Sequence, residues 1–323
     1  MKILIASPIF PDAIETLREQ HEVVCAFDAK EDALQALIKD CHVLVFRSGV
    51  NISAEVMSSA PNLQLLVRAG SGIDNLDLNY VQAHGLELVR VPEPGAKAVA
   101  EMSFAFMLAL ARELINVDRV TREGHWVKHK VTAYLLTGKV LGIVGAGNIG
   151  SRTGQLGAAW GMDVLGCVEH PSAAVAARLL EKGVRLTTFD EVVAQADFLS
   201  IHVPLKDSTR GLINAEALSH MKPGAFLVNL ARGGVVDEAA LYQALTEGKL
   251  QGAALDVHRA EGEGKISPLA GLPNVILTPH IGASTFDTQR EIGYRVIEAV
   301  EARAKKNGAL PKAVEPLYKL AEV

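Results

Sequence analysis

The sequence predicts an α/β protein made of two doubly wound parallel-sheet domains, and three observations carry that reading. Short apolar runs alternate with helix-like stretches twice over, across residues 3–89 and again from Val140 to Leu277. Such alternation means βαβ units and parallel sheets covered on both faces. The run Lys139-Val-Leu-Gly-Ile-Val-Gly-Ala-Gly-Asn-Ile-Gly150 places an apolar strand, a GxGxxG turn and a helix-like segment in direct succession. Between the two series, Val91-Pro-Glu-Pro-Gly95 punctuates the chain and predicts a first crossing between domains.

In the first series the strands are Ile3–Ala6, Val23–Phe27, Val43–Phe46, Leu65–Val67 and Leu86–Val89. Between them fall helices at Asp12–Gln20, Glu31–Lys39, a short one capped by Ser53, and one near Leu78–His84. A long apolar helix, roughly Ala98 to Val120, follows the punctuated break. The second series has strands Val140–Val144, Val164–Val168, Phe198–His202, Ala225–Asn229, Gly252–Asp256 and Val275–Leu277. Its helices include Ser151–Trp160, Ala173–Glu181, Glu191–Ala196 and Glu238–Glu247. Six strands with the glycine turn after the first make a complete doubly wound domain. A last helix, about Thr285 to Ala304, returns the chain to the first domain.

The glycine turn is suited to a dinucleotide pyrophosphate. Gly145 permits a tight turn, Gly147 lets the backbone approach the phosphates, and Gly150 lets the helix pack close to its strand. The helix N-terminus adds free N–H groups and the positive end of a dipole. An acidic residue is expected about 20 residues further on to hold the adenosine ribose, and Glu169 is the candidate at the second strand's end. No Lys or Arg lies between Val168 and Ala177 to receive a 2′-phosphate, which favours NAD and leaves NADP open.

Composition bounds the rest. The 323 residues suffice for two domains. A hydrophobic content of 49% with 21% charged residues is that of an ordinary soluble globular protein. The net charge of −5 and the lack of a basic stripe with interleaved aromatics give no reason to expect nucleic acid. Cys25, Cys41 and Cys167 sit in apolar runs without metal-ligand spacing, so they read as reduced core residues of a cytoplasmic protein, and no metal site is expected. The chain enters a strand at once, without the basic and apolar regions of a signal peptide. The longest apolar segment, Phe104 to Ala111, is too short to span a bilayer, and no membrane partner is expected.

The chemistry is expected at the ends of the later strands, where an open α/β sheet puts its ligands. Asn229–Asp237 carries Arg232, Leu255–Glu261 carries Asp256 and Glu261, and Thr278–Thr285 carries His280. An arginine presents a planar fork to a carboxylate or carbonyl. A histidine exchanges a proton near neutral pH, and a neighbouring glutamate favours its protonated form and fixes its tautomer. With a dinucleotide, these groups suffice for a redox step between a 2-hydroxy acid and a 2-keto acid.

These motifs resemble the D-2-hydroxyacid dehydrogenase family, and within it phosphoglycerate dehydrogenases and hydroxypyruvate/glyoxylate reductases. The resemblance runs from Phe46-Arg-Ser48 through Val67–Asp77, Val99-Ala-Glu101 and Gly124-His-Trp126. It continues through the glycine turn, His202-Val-Pro-Leu205, Met221–Ala225, Asn229–Asp237 and Pro279–Thr285. It implies a Rossmann NAD-binding domain (residues 97–286) inserted in a flavodoxin-like substrate domain (residues 1–96 and 287–323), with the active site in the cleft between them. It implies that Arg232 orients the substrate, His280 is the acid/base and Glu261 its carboxylate partner. Arg47, Ser48, Arg68, Gly70, Ser71 and Gly72, together with Arg232 and His280, would bind substrate. Gly145, Gly147, Asn148, Ile149, Glu169, His202, Val203, Pro204, Thr209, Leu230, Ala231, Asp256, His280 and Gly282 would contact the dinucleotide.

Two departures from the family pattern stand out. The pattern Asp-Val-Phe-x-x-Glu-Pro reads Asp256-Val-His-Arg-Ala-Glu-Gly262 here, so a more mobile loop is expected after Glu261, and His258 is a possible decoy for the catalytic histidine. The ribose acid falls one place late, with Val168 in the usual slot and Glu169 after it, which leaves cofactor preference open. Arg47, Arg68, Lys128, His129 and Lys130 suggest a basic cleft and a second anionic or strongly polar group on the substrate. Phosphohydroxypyruvate, a sulfonated analogue or a dicarboxylate would fit, with hydroxypyruvate and glyoxylate as less charged alternatives. The helix bearing Met102, Phe104, Phe106, Met107 and Leu110 is more apolar than one buried face requires. Resemblance to the family implies that a second subunit covers it in a homodimer built on the segment from Ala98 to Tyr134. The end at Val323 leads to the expectation of no further regulatory domain and no serine feedback site. Two other classes share the fold, dinucleotide-sensing corepressors and formate dehydrogenases.

Overall fold

The computed structural model describes residues 1–27 and 29–308, so the part of the expected substrate domain beyond residue 308 lies outside the described residues. The chain divides into two compact units. One joins Met1–Gly95 with the segment that begins at Ser284, and the other is Ala96–Ala283.

The first unit runs β1 (Lys2–Ile5), α1 (Pro11–Arg18), β2 (Glu22–Cys25), α2 (Glu31–Leu37), β3 (Val43–Phe46), α3 (Ala54–Ser58), β4 (Leu65–Arg68), α4 (Leu78–Ala83) and β5 (Glu87–Arg90). Its five parallel strands lie in the order β2-β1-β3-β4-β5, the flavodoxin-like arrangement. The burial pattern shows why the strands read as unbroken apolar runs. Every residue of β3 and β4 is buried, whereas the edge strands β2 and β5 have none fully buried. A parallel strand covered on both faces has no solvent side on which to alternate.

The chain then passes through α5 (Glu93–Ala111), α6 (Leu114–Arg122), β6 (Val140–Val144), α7 (Asn148–Ala159), β7 (Asp163–Cys167), α8 (Ala173–Leu180), β8 (Val184–Leu186), α9 (Phe189–Gln195) and β9 (Phe198–Ile201). It continues with α10 (Ala215–His220), β10 (Ala225–Asn229), α11 (Glu238–Thr246), β11 (Leu250–Leu255), β12 (Val275–Leu277) and α12 (Phe286–Lys306). The seven-stranded parallel sheet has the order β12-β11-β10-β9-β6-β7-β8. From β6 the chain moves outward through β7 and β8, then returns to β9 on the other side of β6. The order therefore reverses between β6 and β9, the switch point where such sheets bind ligands. Thr285 caps α12 by accepting from the Thr288 amide at 3.1 Å. Ile292, Val296, Ile297 and Val300 of α12 pack with Ile14 and Leu17 of α1 in the first unit's core.

The structure corrects several expectations. The punctuated break at 91–95 runs into α5, which begins at Glu93: Pro94 stands second in the helix, where a missing N–H costs nothing. The boundary between the units falls inside that helix. The expected helix to Val120 is two helices, because Glu113 adopts a left-handed conformation (φ 52°) that interrupts the ladder. Starting at Glu93 gives α5 19 residues, long and apolar enough by length and composition to cross a membrane. Phe104, Phe106, Met107 and Leu110, however, lie in the second unit's core. These side chains are covered by the chain itself, so they do not call for a second subunit. The sheet has a seventh strand, β8, whose three residues are too few to show a period. The six-residue α10 is a further addition, capped by Asn214, which accepts from the Ala217 amide at 2.9 Å.

Gly150 is where close packing is tightest. A Cβ there would run into the Gly145 carbonyl oxygen and lie 2.9 Å from Ile143 Cγ2. At Gly147 nothing lies within 4 Å of an added Cβ. Gly150→Ala should therefore destabilise the protein by about 1–3 kcal/mol in denaturant unfolding, while Gly147→Ala should leave stability within about 0.5 kcal/mol.

Candidate functional site

The second unit gathers its functional groups at the C-terminal ends of its strands. After β6 the chain turns sharply at Gly145 (φ 91°). The Gly145 and Ala146 amides donate to the Cys167 carbonyl at 3.1 and 2.9 Å, and the Ser151 amide donates to the Gly147 carbonyl at 2.9 Å. Gly147 is the N-cap of the twelve-residue α7, without a side-chain cap. Its open flank and the uncapped helix end leave room and free N–H donors for a pyrophosphate. A Cβ on Gly145 would sit 2.7 Å from Val203 Cγ1 and 2.8 Å from the His202 carbonyl oxygen. The segment after β9 thus backs the turn. The residues present fit a dinucleotide.

That segment is itself tied down. The Thr209 hydroxyl is buried, donates to the Pro204 carbonyl at 2.6 Å and accepts from the Lys206 amide at 2.9 Å. Thr209, expected at the cofactor, thus spends its hydroxyl on the loop. Glu169 stands two residues past β7, exposed, and Lys206 Nζ donates to its Oε1 at 2.6 Å and also to Oε2. This hydrogen bond and the ammonium charge hold the Glu169 carboxyl below its ordinary value. No local window of sequence around Glu169 contains Lys206. It arrives from 37 residues away.

Past β10, Asn229 is buried and clamps its own turn. Its Oδ1 accepts from the Ala231 amide at 3.0 Å and its Nδ2 donates to the Arg232 carbonyl at 3.2 Å. Arg232 Nη1 donates to the Ala231 carbonyl at 2.8 Å. Gly233 has to be glycine, because a Cβ would collide with the His258 carbonyl and lie 2.9 Å from the Arg259 nitrogen. The Arg259 amide donates to the buried Glu238 carboxylate at 2.7 Å. The arginine turn is thereby pressed against the segment that follows β11.

Asp256, one residue past β11, is buried. Oδ1 accepts from Thr278 Oγ1 and from the Ile281 amide at 2.8 Å, and Oδ2 accepts from the Gly282 amide at 2.7 Å. Its own carbonyl takes the His280 amide at 2.7 Å. Expected at the nicotinamide, Asp256 is seen holding the loop of His280. That histidine is left-handed (φ 58°), and its Nδ1 lies 2.9 Å from Glu261 Oε2. Glu261 Oε1 accepts from the His258 amide at 3.1 Å. Half-burial alone would raise the Glu261 carboxyl. The bonds from His280 and the His258 amide outweigh it, and the net shift is downward. His258, the possible decoy, has its Nε2 2.9 Å from the Thr278 carbonyl oxygen, which a ring N–H satisfies. It is anchored to the backbone, and the pair with Glu261 belongs to His280. Leu230 and Ala231 are buried beside this turn.

The remaining expected residues belong to the first unit. Arg47 follows β3. Its amide donates to Ser7 Oγ at 3.0 Å, its Nη1 reaches the Pro8 carbonyl at 3.4 Å, and burial lowers its pKa from the ordinary value. Ser48 is exposed. Arg68 is buried; its Nε donates to the Gly72 carbonyl at 2.6 Å and its guanidinium lies 5.8 Å from the Phe46 ring centroid. It shapes the Gly70–Gly72 loop from beneath, and Arg90 donates to the Ser71 carbonyl of the same loop.

Fold and turn define the class, a dinucleotide-binding α/β protein of the doubly wound kind. The model of the D-isomer specific 2-hydroxyacid dehydrogenase NAD binding domain matches residues 104–282, and the chain belongs to that family. It is 39% identical to a D-3-phosphoglycerate dehydrogenase of Methanocaldococcus jannaschii over 93% of this chain and 57% of the relative. It is 35% identical to a hydroxypyruvate reductase of Thermotoga maritima over 93% of this chain and 97% of the relative. A D-lactate dehydrogenase structure from Aquifex aeolicus, complexed with NAD and lactic acid, superimposes with a TM-score of 0.82 at 30% identity, covering 95% of this chain and 96% of that one. The chain spans little more than half the length of the phosphoglycerate dehydrogenases it matches first, between 56% and 60%.

His202 provides a test of the region behind the glycine turn. Ser200 Oγ lies 2.8 Å from its Nε2, and its Nδ1 is shut away from solvent with no partner. Burial lowers its pKa from 6.5 to about 3. The folded state therefore stays neutral where the unfolded state takes up a proton. This stability is present above pH 6.5 and is lost as pH falls toward 3. Unfolding free energies measured from pH 7 to 4 should fall more steeply in the wild type than in His202→Asn, by up to about 1.4 kcal/mol per pH unit. Equal slopes would show that His202 is protonated at little cost.

Proposed function

We propose that the chain is an NAD(P)-dependent oxidoreductase interconverting a 2-hydroxy acid and its 2-keto acid, most like 3-phosphoglycerate dehydrogenase. The observation that supports this most directly is the His280–Glu261 pair, held at 2.9 Å on the same strand ends as the Arg232 turn and the glycine turn. With Nδ1 engaged by Glu261, His280 keeps Nε2 for the substrate. In the reducing direction the imidazolium gives that proton to the oxygen on C2; in oxidation the neutral ring takes it. Arg232 orients the substrate and polarises its keto oxygen. A bound nicotinamide supplies or receives the hydride at C2. Arg47, Ser48, Arg68 and the Gly70–Gly72 loop are the proposed substrate-binding residues. A second reading, hydroxypyruvate reductase, is favoured by the near-complete span of the Thermotoga maritima relative.

Homodimerisation through the segment that follows α5 is part of the proposal. Leu114, Ile115, Trp126 and Leu135 are exposed by 49, 60, 82 and 71%. Large apolar side chains left out along one segment mark an interaction surface. Sedimentation at micromolar concentration should find a dimer, and a monomer would count against it.

The decisive experiment is a panel of 2-keto acids assayed with NADH and NADPH. Turnover is expected, with His280→Asn lowering kcat/KM by roughly 10²–10⁴-fold. Dinucleotide binding without turnover of any acid would favour the corepressor-like reading. Arg47→Ala should reduce kcat/KM for a doubly anionic substrate about ten- to a hundredfold while sparing glyoxylate. Equal losses on both would place Arg47 on the common carboxylate or in the fold.

A further inference from the structure

In the seven-stranded sheet, β7 and β9 flank β6 on opposite sides. Neighbouring strands lie about 4.8 Å apart, so the ends of β7 and β9 are separated by roughly twice that, with the glycine turn between them. Glu169 and Lys206 nonetheless meet, the ammonium bonded to both carboxylate oxygens. The pair arches from one flank of the glycine turn to the other.

Two features set it apart from an ordinary surface ion pair, which contributes little to stability. First, the Lys206 backbone is fixed. Its N–H donates to Thr209 Oγ1 at 2.9 Å, and its carbonyl accepts from the Thr209 and Arg210 amides, both at 2.9 Å. A flexible, half-exposed ammonium on so firmly held a main chain is a presented charge. Second, its partner is the carboxylate that stands where the adenosine ribose is read, with the ring of His170 4.0 Å from Glu169 Oε2. The two ends of the ion pair have opposite tastes. A carboxylate accepts hydrogen bonds from a ribose diol and repels a 2′-phosphate. An ammonium attracts the 2′-phosphate, and Lys is a competent phosphate binder.

We propose that Lys206 and Glu169 form a two-way selector at the ribose subsite: Glu169 holds the diol of NAD(H), and Lys206 exchanges Glu169 for the 2′-phosphate of NADP(H). This rests on the proposed dinucleotide binding. It replaces the NAD preference drawn from the residues around Glu169 alone with acceptance of both cofactors. With NADP(H) the Lys206 charge offsets the repulsion between Glu169 and the 2′-phosphate, and with NAD(H) Lys206 stays on Glu169, so discrimination between the two cofactors is reduced.

The test is direct binding, without any keto acid: calorimetric titration of NADH and NADPH into the full chain. The wild type should bind both with dissociation constants within about tenfold of each other. Lys206→Met, which keeps the stem and removes the charge, should weaken NADPH about ten- to a hundredfold and leave NADH within about threefold. Lys206→Arg should retain NADPH. Glu169→Gln should weaken NADH and tighten NADPH, moving the ratio the other way. An unchanged NADPH/NADH ratio in Lys206→Met, or equal losses on both, overturns the selector while NADH binding upholds the dinucleotide reading. Failure of NADPH alone to bind the wild type overturns the selector, and failure of both dinucleotides overturns the selector and the dinucleotide reading together.

Discussion

The arrangement of the second unit's strand ends depends on one buried carboxylate. Asp256 takes the Thr278 hydroxyl and the Ile281 and Gly282 amides on its two oxygens, and its carbonyl takes the His280 amide. A buried charge is costly unless fully bonded, and three donors converging on two oxygens meet that condition. Each such bond contributes about 1.5–3 kcal/mol, enough to hold His280 in a left-handed conformation that costs an L-residue about 1–2 kcal/mol. The side chain of His280 can then meet Glu261. Without the Asp256 side chain the Ile281 and Gly282 amides and the Thr278 hydroxyl lose their acceptor.

The other strand ends follow the same rule of internal clamps. Asn229 holds the Arg232 turn, Gly233 lets that turn press on His258 and Arg259, and Glu238 takes the Arg259 amide. Thr209 holds the loop that carries Lys206. In each case a small polar side chain satisfies backbone groups close to it, leaving a longer charged or titratable one directed by the backbone. Rigid support under a reactive group is what proton transfer and anion recognition require.

The relation to longer relatives bears on how such a site is used. The matched phosphoglycerate dehydrogenases extend well beyond the span of this chain, whereas the Thermotoga maritima hydroxypyruvate reductase is covered almost throughout. The clamped strand ends lie within the residues that match the family's NAD-binding model.

The sequence by itself determined the two parallel sheets, because strands buried on both faces must be apolar throughout and the helices between them must be amphipathic. It also determined the glycine turn and the segments bearing Arg232, Glu261 and His280, whose local spacing is the signal. It left the three-residue β8 unread for want of a period, and the break at Glu113 because a left-handed residue need not be glycine. Only the tertiary structure decided which charges meet. Lys206 reaches Glu169 from 37 residues away, His258 turns to the Thr278 carbonyl, and Phe104 and Met107 are covered by the chain itself. Pairings of this kind depend on strand order and loop closure across the sheet, and no local window of sequence contains them.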